Sequence, residues 1–141
     1  MEPVAPGARE LSRARCLELL AVARVGRVGV SVRALPVVLP VSYRLDGERV
    51  VFRTVPGTKL DAAVHHSVVA FETDAYDPGG AWGWSVLVQG VASEITDGAE
   101  LARVRRLLAG TWAFLDEDSA GFVSVEPTFI SGRAFAAPPG G

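Results

Sequence analysis

Apolar residues stand at every second position over long stretches of this chain, and that spacing limits its fold more than any other feature. The alternation runs from residue 28 to 32 and again from 37 to 45. Successive side chains of a strand point to opposite faces, so this spacing is typical of strands with one buried face. Valine, which favours strands, occurs 21 times among the 141 residues. The sequence therefore predicts a strand-rich protein.

A tight turn joins two of the predicted strands. Asp46-Gly47 lies between the alternating stretch that ends at Leu45 and a further predicted strand, Arg49–Thr54. Asp-Gly suits the positive φ angles of a hairpin turn. The strands on either side of the turn are therefore expected to be antiparallel neighbours.

Helices separate the strands at three places. Ser12 and Thr58 can each cap a helix, and Asp97 and Glu100 indicate the start of a third. The three helices are predicted to run to about residues 23, 65 and 110. Further strands are predicted over 68–73, 82–95 and 122–135, the last interrupted near Pro127. Residues 1–10 are expected to be a disordered arm and 136–141 a disordered tail, which leaves one domain over 11–135. This order predicts an α+β, mostly β fold in which helices cover a small closed barrel.

Composition and charge exclude several classes of function. Apolar residues make up 49% of the chain and charged residues 21%, as expected for a globular protein. The net charge of −2 argues against non-specific nucleic-acid binding, which needs a broad basic surface. The apolar runs are too short to span a membrane, so no membrane partner is expected. Cys16 is the single cysteine, which excludes an intrachain disulfide and favours the cytoplasm.

The segment from residue 52 to 60 has the composition of an anion site. Arg53 ends a strand and offers a forked donor, and Lys59 is the one lysine of the chain. Thr54 and Thr58 add hydroxyl donors beside Gly57. The first amides of a helix lack carbonyl partners, and the helix dipole favours an anion there. By spacing alone, a plain strand-to-helix turn with exposed basic residues explains the segment equally well.

An ordered set of motifs decides between these readings. The set consists of 39–43 (LPVSY), 51–54 (VFRT), 57–60 (GTKL), 68–72 (VVAFE) and 83–90 (GWSVLVQG). Together they resemble the pyridoxamine 5'-phosphate oxidase-like family of flavin-binding split barrels, over about residues 12 to 135. The resemblance implies a split β-barrel of about six antiparallel strands with flanking helices. It also implies a homodimer with two sites for flavin mononucleotide (FMN) at the subunit interface.

The resemblance assigns cofactor contacts to ten positions. Arg53, Thr54, Thr58 and Lys59 would hold the phosphate of FMN. Pro40, Val41 and Ser42 would lie along the flavin ring, and Trp84, Ser85 and Val86 would border the same cavity. Structural roles are open for three of these: Pro40 as protection of an edge strand, Val41 as core, and Trp84 as a core or dimer-interface aromatic.

The resemblance implies a fold, but it leaves the reaction open. The chain lacks the longer C-terminal segment of true pyridoxamine phosphate oxidases, which argues against vitamin B6 oxidation. The expected function is a flavin-dependent oxidoreductase acting on a small molecule, with a non-catalytic flavin-binding, storage or sensing module as the alternative. A deazaflavin in place of FMN is also open. No protein acid or base is assigned, because the flavin carries the electron chemistry. No metal is expected, because His65 and His66 lack further ligands at useful spacing.

Overall fold

The structure is a computed structural model, and it describes residues 7–55, 57–58, 61, 64–111 and 121–136. These residues form seven strands and two helices. The strands are β1 (Ala8–Glu10), β2 (Val25–Val32), β3 (Leu35–Asp46), β4 (Arg49–Thr54), β5 (Val68–Tyr76), β6 (Gly83–Glu94) and β7 (Gly121–Phe135). The helices are α1 (Arg13–Val22) and α2 (Gly98–Leu107). No helix within these residues is long and apolar enough to cross a membrane.

Six of the strands close into an antiparallel barrel. The order around it is β7-β4-β3-β2-β5-β6, and pairing of β6 with β7 completes the circle. The short strand β1 pairs with the far end of β7. The predicted α+β split barrel of about six antiparallel strands is therefore confirmed. The hairpin at Gly47 is also confirmed, because Asp46 pairs with Arg49 and Gly47 has φ of 62°.

The barrel interior and α1 share one core. Cys16 and Leu20 of α1 are fully buried among the inward side chains of β2 to β7. The hydroxyl of Tyr43 donates to the carbonyl oxygen of Leu20 at 2.6 Å, which satisfies a polar group inside this core. Ser12 caps α1 as predicted, since its hydroxyl accepts from the amide of Arg15.

The second helix covers the outside of the barrel. Val104 and Leu108 pack with Val51, Ile95 and Phe122 in a cluster separate from the main core. The predicted helix start at Asp97 is confirmed, and the structure shows that Asp97 caps the helix, because its carboxylate accepts from the amide of Glu100. An ion pair between Asp46 and Arg103 also ties α2 to the hairpin of β3 and β4. The carbonyl oxygen of Leu108, just after α2, accepts from Arg53 near the end of β4, so the C-terminal end of the helix lies beside the predicted site.

The chain start differs from the sequence-based expectation in one place. Ala8–Glu10 is a strand paired with 133–135 of β7, not part of a disordered arm. Its backbone groups have ladder partners there, which the prolines and glycine nearby did not indicate. Residues 1–6 and 137–141, which were expected to be disordered, lie outside the described residues.

Candidate functional site

The barrel divides the predicted cofactor residues between its two faces. Val41, Trp84 and Val86 point inward and belong to the main core, with no more than 8% of any of them exposed. Pro40, Ser42 and Ser85 alternate with them and point outward. The sequence left open whether Val41 and Trp84 are core residues. The structure shows that both side chains pack in the core. A cofactor on the outside of the barrel would meet the side chains of Pro40, Ser42 and Ser85, and it could meet only the backbone of Val41, Trp84 and Val86.

The predicted phosphate loop begins where β4 ends. The amide and hydroxyl of Thr58 both donate to the carbonyl oxygen of Val55, at 3.2 and 2.7 Å. The same hydroxyl accepts from the amide of Asp61 at 3.2 Å, so the predicted capping role of Thr58 is confirmed. Gly57 has φ of 81°, a left-handed conformation that glycine adopts without strain. The loop is therefore a compact turn fixed by its own hydrogen bonds.

Donors of this loop converge on one carboxylate. Asp61 Oδ1 accepts from Thr54 Oγ1 at 3.3 Å, and Asp61 Oδ2 accepts from the amide of Gly57 at 3.1 Å. Thr54 is only 2% exposed, so its hydroxyl is held at this point by the surrounding packing. A phosphate oxygen is an acceptor of the same kind as a carboxylate oxygen. The donor set therefore fits an anionic group, with Asp61 in that place in this structure.

Arg53 lies on the outer face of β4, below the end of α2. Its Nη2 donates to the carbonyl oxygen of Leu108 at 2.7 Å. A cation at the C-terminus of a helix is favoured by the helix dipole. Arg53 therefore links the phosphate loop to α2. Lys59, the other predicted cationic ligand, lies outside the described residues.

His65 lies beside Asp61. Its Nε2 is 3.8 Å from Asp61 Oδ1, and its Nδ1 is 3.8 Å from Glu94 Oε2. No group of three or more His, Cys, Asp or Glu side chains is arranged to hold a metal ion within the described ranges. His65 is thus a neighbour of the loop carboxylate in this structure.

The outer face also carries a charged cluster that the sequence analysis missed. Arg27 Nη1 donates to Glu72 Oε1 at 2.8 Å and to Asp74 Oδ2 at 3.2 Å. Burial and the nearby Asp74 raise the pKa of Glu72 to about 7. The signal in the sequence was the i, i+2 spacing of the two acids on one predicted strand. Their common partner Arg27 is 45 residues from Glu72, and only the strand pairing brings them together.

Comparison with known proteins agrees with this architecture. The family model described as pyridoxamine 5'-phosphate oxidase matches residues 12–134. The uncharacterized protein Rv0080 of Mycobacterium tuberculosis is 38% identical over 128 residues, which cover 87% of this chain and 82% of that protein.

Solved structures give the same result. An FAD binding protein from Mycobacterium smegmatis is 35% identical, with a TM-score of 0.78 over 90% of this chain and 99% of that one. A putative pyridoxamine 5'-phosphate oxidase from Corynebacterium glutamicum shares the fold at 23% identity, with a TM-score of 0.76 over 96% and 99% of the two chains. On the family match and the Mycobacterium tuberculosis relative, the chain belongs to the pyridoxamine 5'-phosphate oxidase family.

Proposed function

We propose that this protein binds a flavin nucleotide on the outside of its barrel and uses it as an oxidoreductase for a small molecule. One observation carries the proposal: Thr54 Oγ1 and the amide of Gly57 both donate to the carboxylate of Asp61, so two donors at the end of β4 are oriented toward an anionic group. The Mycobacterium smegmatis relative is described as an FAD binding protein, which supports a flavin as the ligand class.

The loop would hold the phosphate, and the outer face would hold the ring. Thr54, Thr58, Arg53 and Lys59 are the proposed phosphate ligands. Pro40, Ser42 and Ser85 line the outward side of β3 and β6, where a ring system can lie against the sheet. When bound, the flavin would supply the hydride and electron chemistry, and the protein would supply binding and orientation.

We propose FMN as the nucleotide, because one phosphate matches one donor cluster. FAD, the ligand named for the Mycobacterium smegmatis relative, carries two phosphates and an adenosine that would extend beyond the loop. A deazaflavin would use the same phosphate loop. The single thiol of Cys16 is buried and reduced, which is compatible with a reaction in the cytoplasm.

A homodimer with the cofactor at the interface is part of the proposal. Val38, Val68 and Phe129 are each at least 67% exposed although they are large and apolar. Val38 and Phe129 lie in one row across the outer face, joined by the small residues Gly29 and Ala70 and by Gln89. A second copy that covered this row would enclose a ligand lying on the same face.

The first experiment is a visible absorbance spectrum of the purified protein, followed by heat release and chromatographic identification of the nucleotide. FMN is the nucleotide that we expect to be released. Release of FAD or a deazaflavin would correct the identity of the nucleotide and would still support flavin binding. Protein that is colourless and binds none of the three on titration would contradict flavin binding. Anaerobic mixing of the loaded protein with nicotinamide and deazaflavin donors then separates an oxidoreductase, which is reduced, from a storage or sensing module, which is not.

Substitution tests the phosphate site. Lys59→Ala and Arg53→Ala should each weaken FMN binding by about 1.5–3 kcal/mol, the range for a hydrogen bond to a charged group. That corresponds to about 10- to 140-fold in dissociation constant. Arg106→Ala, which removes an exposed arginine from α2, is the control for net charge. Affinity that is unchanged in both loop variants would contradict the site.

A further inference from the structure

Three charged side chains lie on the outer face between the two strands proposed to border the flavin. Arg27 of β2 is the cross-strand partner of Pro40 on β3. Asp74 of β5 is the cross-strand partner of Ser85 on β6. Arg27 also pairs with Glu72 across β2 and β5. The cluster therefore occupies the sheet surface that joins the outer side of β3 to the outer side of β6.

The charges of this cluster do not balance. One guanidinium nitrogen, Arg27 Nη1, donates to both carboxylates, at 2.8 Å to Glu72 Oε1 and 3.2 Å to Asp74 Oδ2. Two ionised carboxylates beside one arginine leave one surplus negative charge. Like charges at such short range disfavour the ionisation of one member of the pair.

The other groups that face the pair do little to offset that charge. Glu72 and Asp74 are paired across β6 with Leu87 and Ser85, which are neutral. Farther along this row, Arg133 on β7 is the cross-strand partner of Ser85, and Glu10 on β1 is the partner of Arg133, so these two residues add one positive and one negative charge. Partial burial of Glu72, together with the neighbouring Asp74, raises the pKa of Glu72 to about 7. The pair therefore binds and releases one proton close to neutral pH.

We propose that Glu72 and Asp74, bridged by Arg27, are the redox-linked proton site of the flavin centre. This inference rests on the proposed function. Two electrons from an external donor would add negative charge to a flavin bound on this face, and added negative charge would favour the protonated carboxyl. One proton would then pass from solvent to Glu72, and it would return to solvent when the electrons leave. Neither carboxyl is itself oxidised or reduced, so charge and protons balance over the cycle.

The first test is the pH dependence of the midpoint potential of the flavin-loaded protein, with dithionite as the electron donor. The native protein should take up an additional proton per electron pair over a window that begins near neutral pH. Glu72→Gln should lose this additional proton, and Asp74→Asn should move the window to lower pH. Glu126→Gln, which alters an exposed glutamate of β7, should keep the native profile.

The second test needs no flavin. Carboxyl-carbon NMR of the flavin-free protein should show a glutamate that titrates near neutral pH and that disappears in Glu72→Gln. A titration of Glu72 in the ordinary range for glutamate would overturn the proposal. So would identical potential profiles for the native protein and Glu72→Gln when both hold flavin. A protein that binds no flavin would overturn the proposed function and this redox link with it, and the NMR titration tells that outcome apart from failure of the carboxyl pair.

Discussion

Asp61 occupies, with its own negative charge, the place where the proposed phosphate would be bound. Both of its carboxylate oxygens accept hydrogen bonds, one from the buried Thr54 and one from the amide of Gly57. An entering phosphate must therefore displace this carboxylate or share its donors. The carboxylate of Asp61 therefore holds these two donors in a fixed orientation.

Removal of that charge should strengthen flavin binding. Asp61→Asn keeps an acceptor for Thr54 or Gly57 but removes the repulsion between carboxylate and phosphate, so we expect FMN affinity to rise several-fold, or about 1 kcal/mol. Asp77→Asn is the matched control, because Asp77 accepts from the amide of Ala81 at 3.0 Å in a different loop. Fluorescence titration measures the change. Weaker binding in Asp61→Asn would mean that Asp61 supports the bound loop and does not compete with the ligand.

Glu72 should make stability depend on pH in an unusual direction. Its pKa is about 7 in the folded protein against the ordinary value of 4.5, so the folded state holds a proton there that the unfolded chain has lost. This contribution is fully present below pH 4.5 and is lost as the pH rises through 7. Because the side chain is about one-third exposed, screening limits the effect to about 1 kcal/mol, or about 3 °C in Tm.

Calorimetry of the flavin-free protein at a series of pH values tests this effect. The Tm of the native protein should fall more steeply from pH 5 to pH 8 than that of Glu72→Gln. Parallel Tm profiles for the two proteins would show that Glu72 titrates alike in the folded and unfolded states.

The sequence predicted where β7 is interrupted, but it did not predict the form of the interruption. The register of β6 and β7 shifts between Gln89 and Gly90, where Phe129 and Pro127 are the respective partners and Thr128 is the extra residue. The prediction of an interruption near Pro127 is therefore confirmed as a β-bulge. Proline has no amide hydrogen to donate, which explains why the break could be located from the sequence.

Gly90 is required by this bulge. A β-carbon added there would lie 1.9 Å from the carbonyl oxygen of Glu126, which is backbone and cannot move aside freely. Gly90→Ala should therefore lower the free energy of unfolding by about 2 kcal/mol or more. Gly83→Ala in the same strand is the control, since the nearest atom to its added carbon is 3.6 Å away. Urea unfolding compares the two, and equal midpoints would contradict the close approach.

Local pattern was enough to predict the strands, the hairpin at Gly47, the helix cap at Ser12 and the helix start at Asp97. These features depend on residues only a few positions apart, so their causes are visible in the sequence. The cluster of Arg27, Glu72 and Asp74 was not predicted because it depends on how β2 pairs with β5. Neither was the link from Arg53 to Leu108, 55 residues away, since it depends on where α2 packs. Alternation did predict that Val41 and Ser42 face opposite ways, but only the closed barrel shows which of them faces the core.

At the scale of the whole molecule, the apolar row on the outer face is the feature that a monomer leaves unexplained. Val38 and Phe129 are each 67% exposed at opposite ends of this row. Burial of such side chains is worth about 25 cal/mol per Å² of apolar surface removed from water. A second copy on this face would gain that stabilisation and would bring its own outer strands against the proposed ring site.

Charges placed in the row should separate the copies. Val38→Glu and Phe129→Glu should each convert the proposed dimer to a monomer in light scattering after size exclusion, and flavin content should fall in parallel. Val22→Glu is the control, because Val22 is 68% exposed at the end of α1 and does not belong to the row. A native protein that is already monomeric while holding flavin would contradict an interfacial cofactor.

The closure of the barrel by β7 has a consequence for how the protein is made. This strand pairs with β1, β4 and β6, yet it follows all of them in the chain. While the ribosome is still holding residues 121–135, the edges of β4 and β6 lack their partner. Unpaired edges are the surfaces on which chains join other chains. During synthesis, these two edges are therefore open to other chains until β7 can pair with them, and a longer wait for β7 lengthens that exposure.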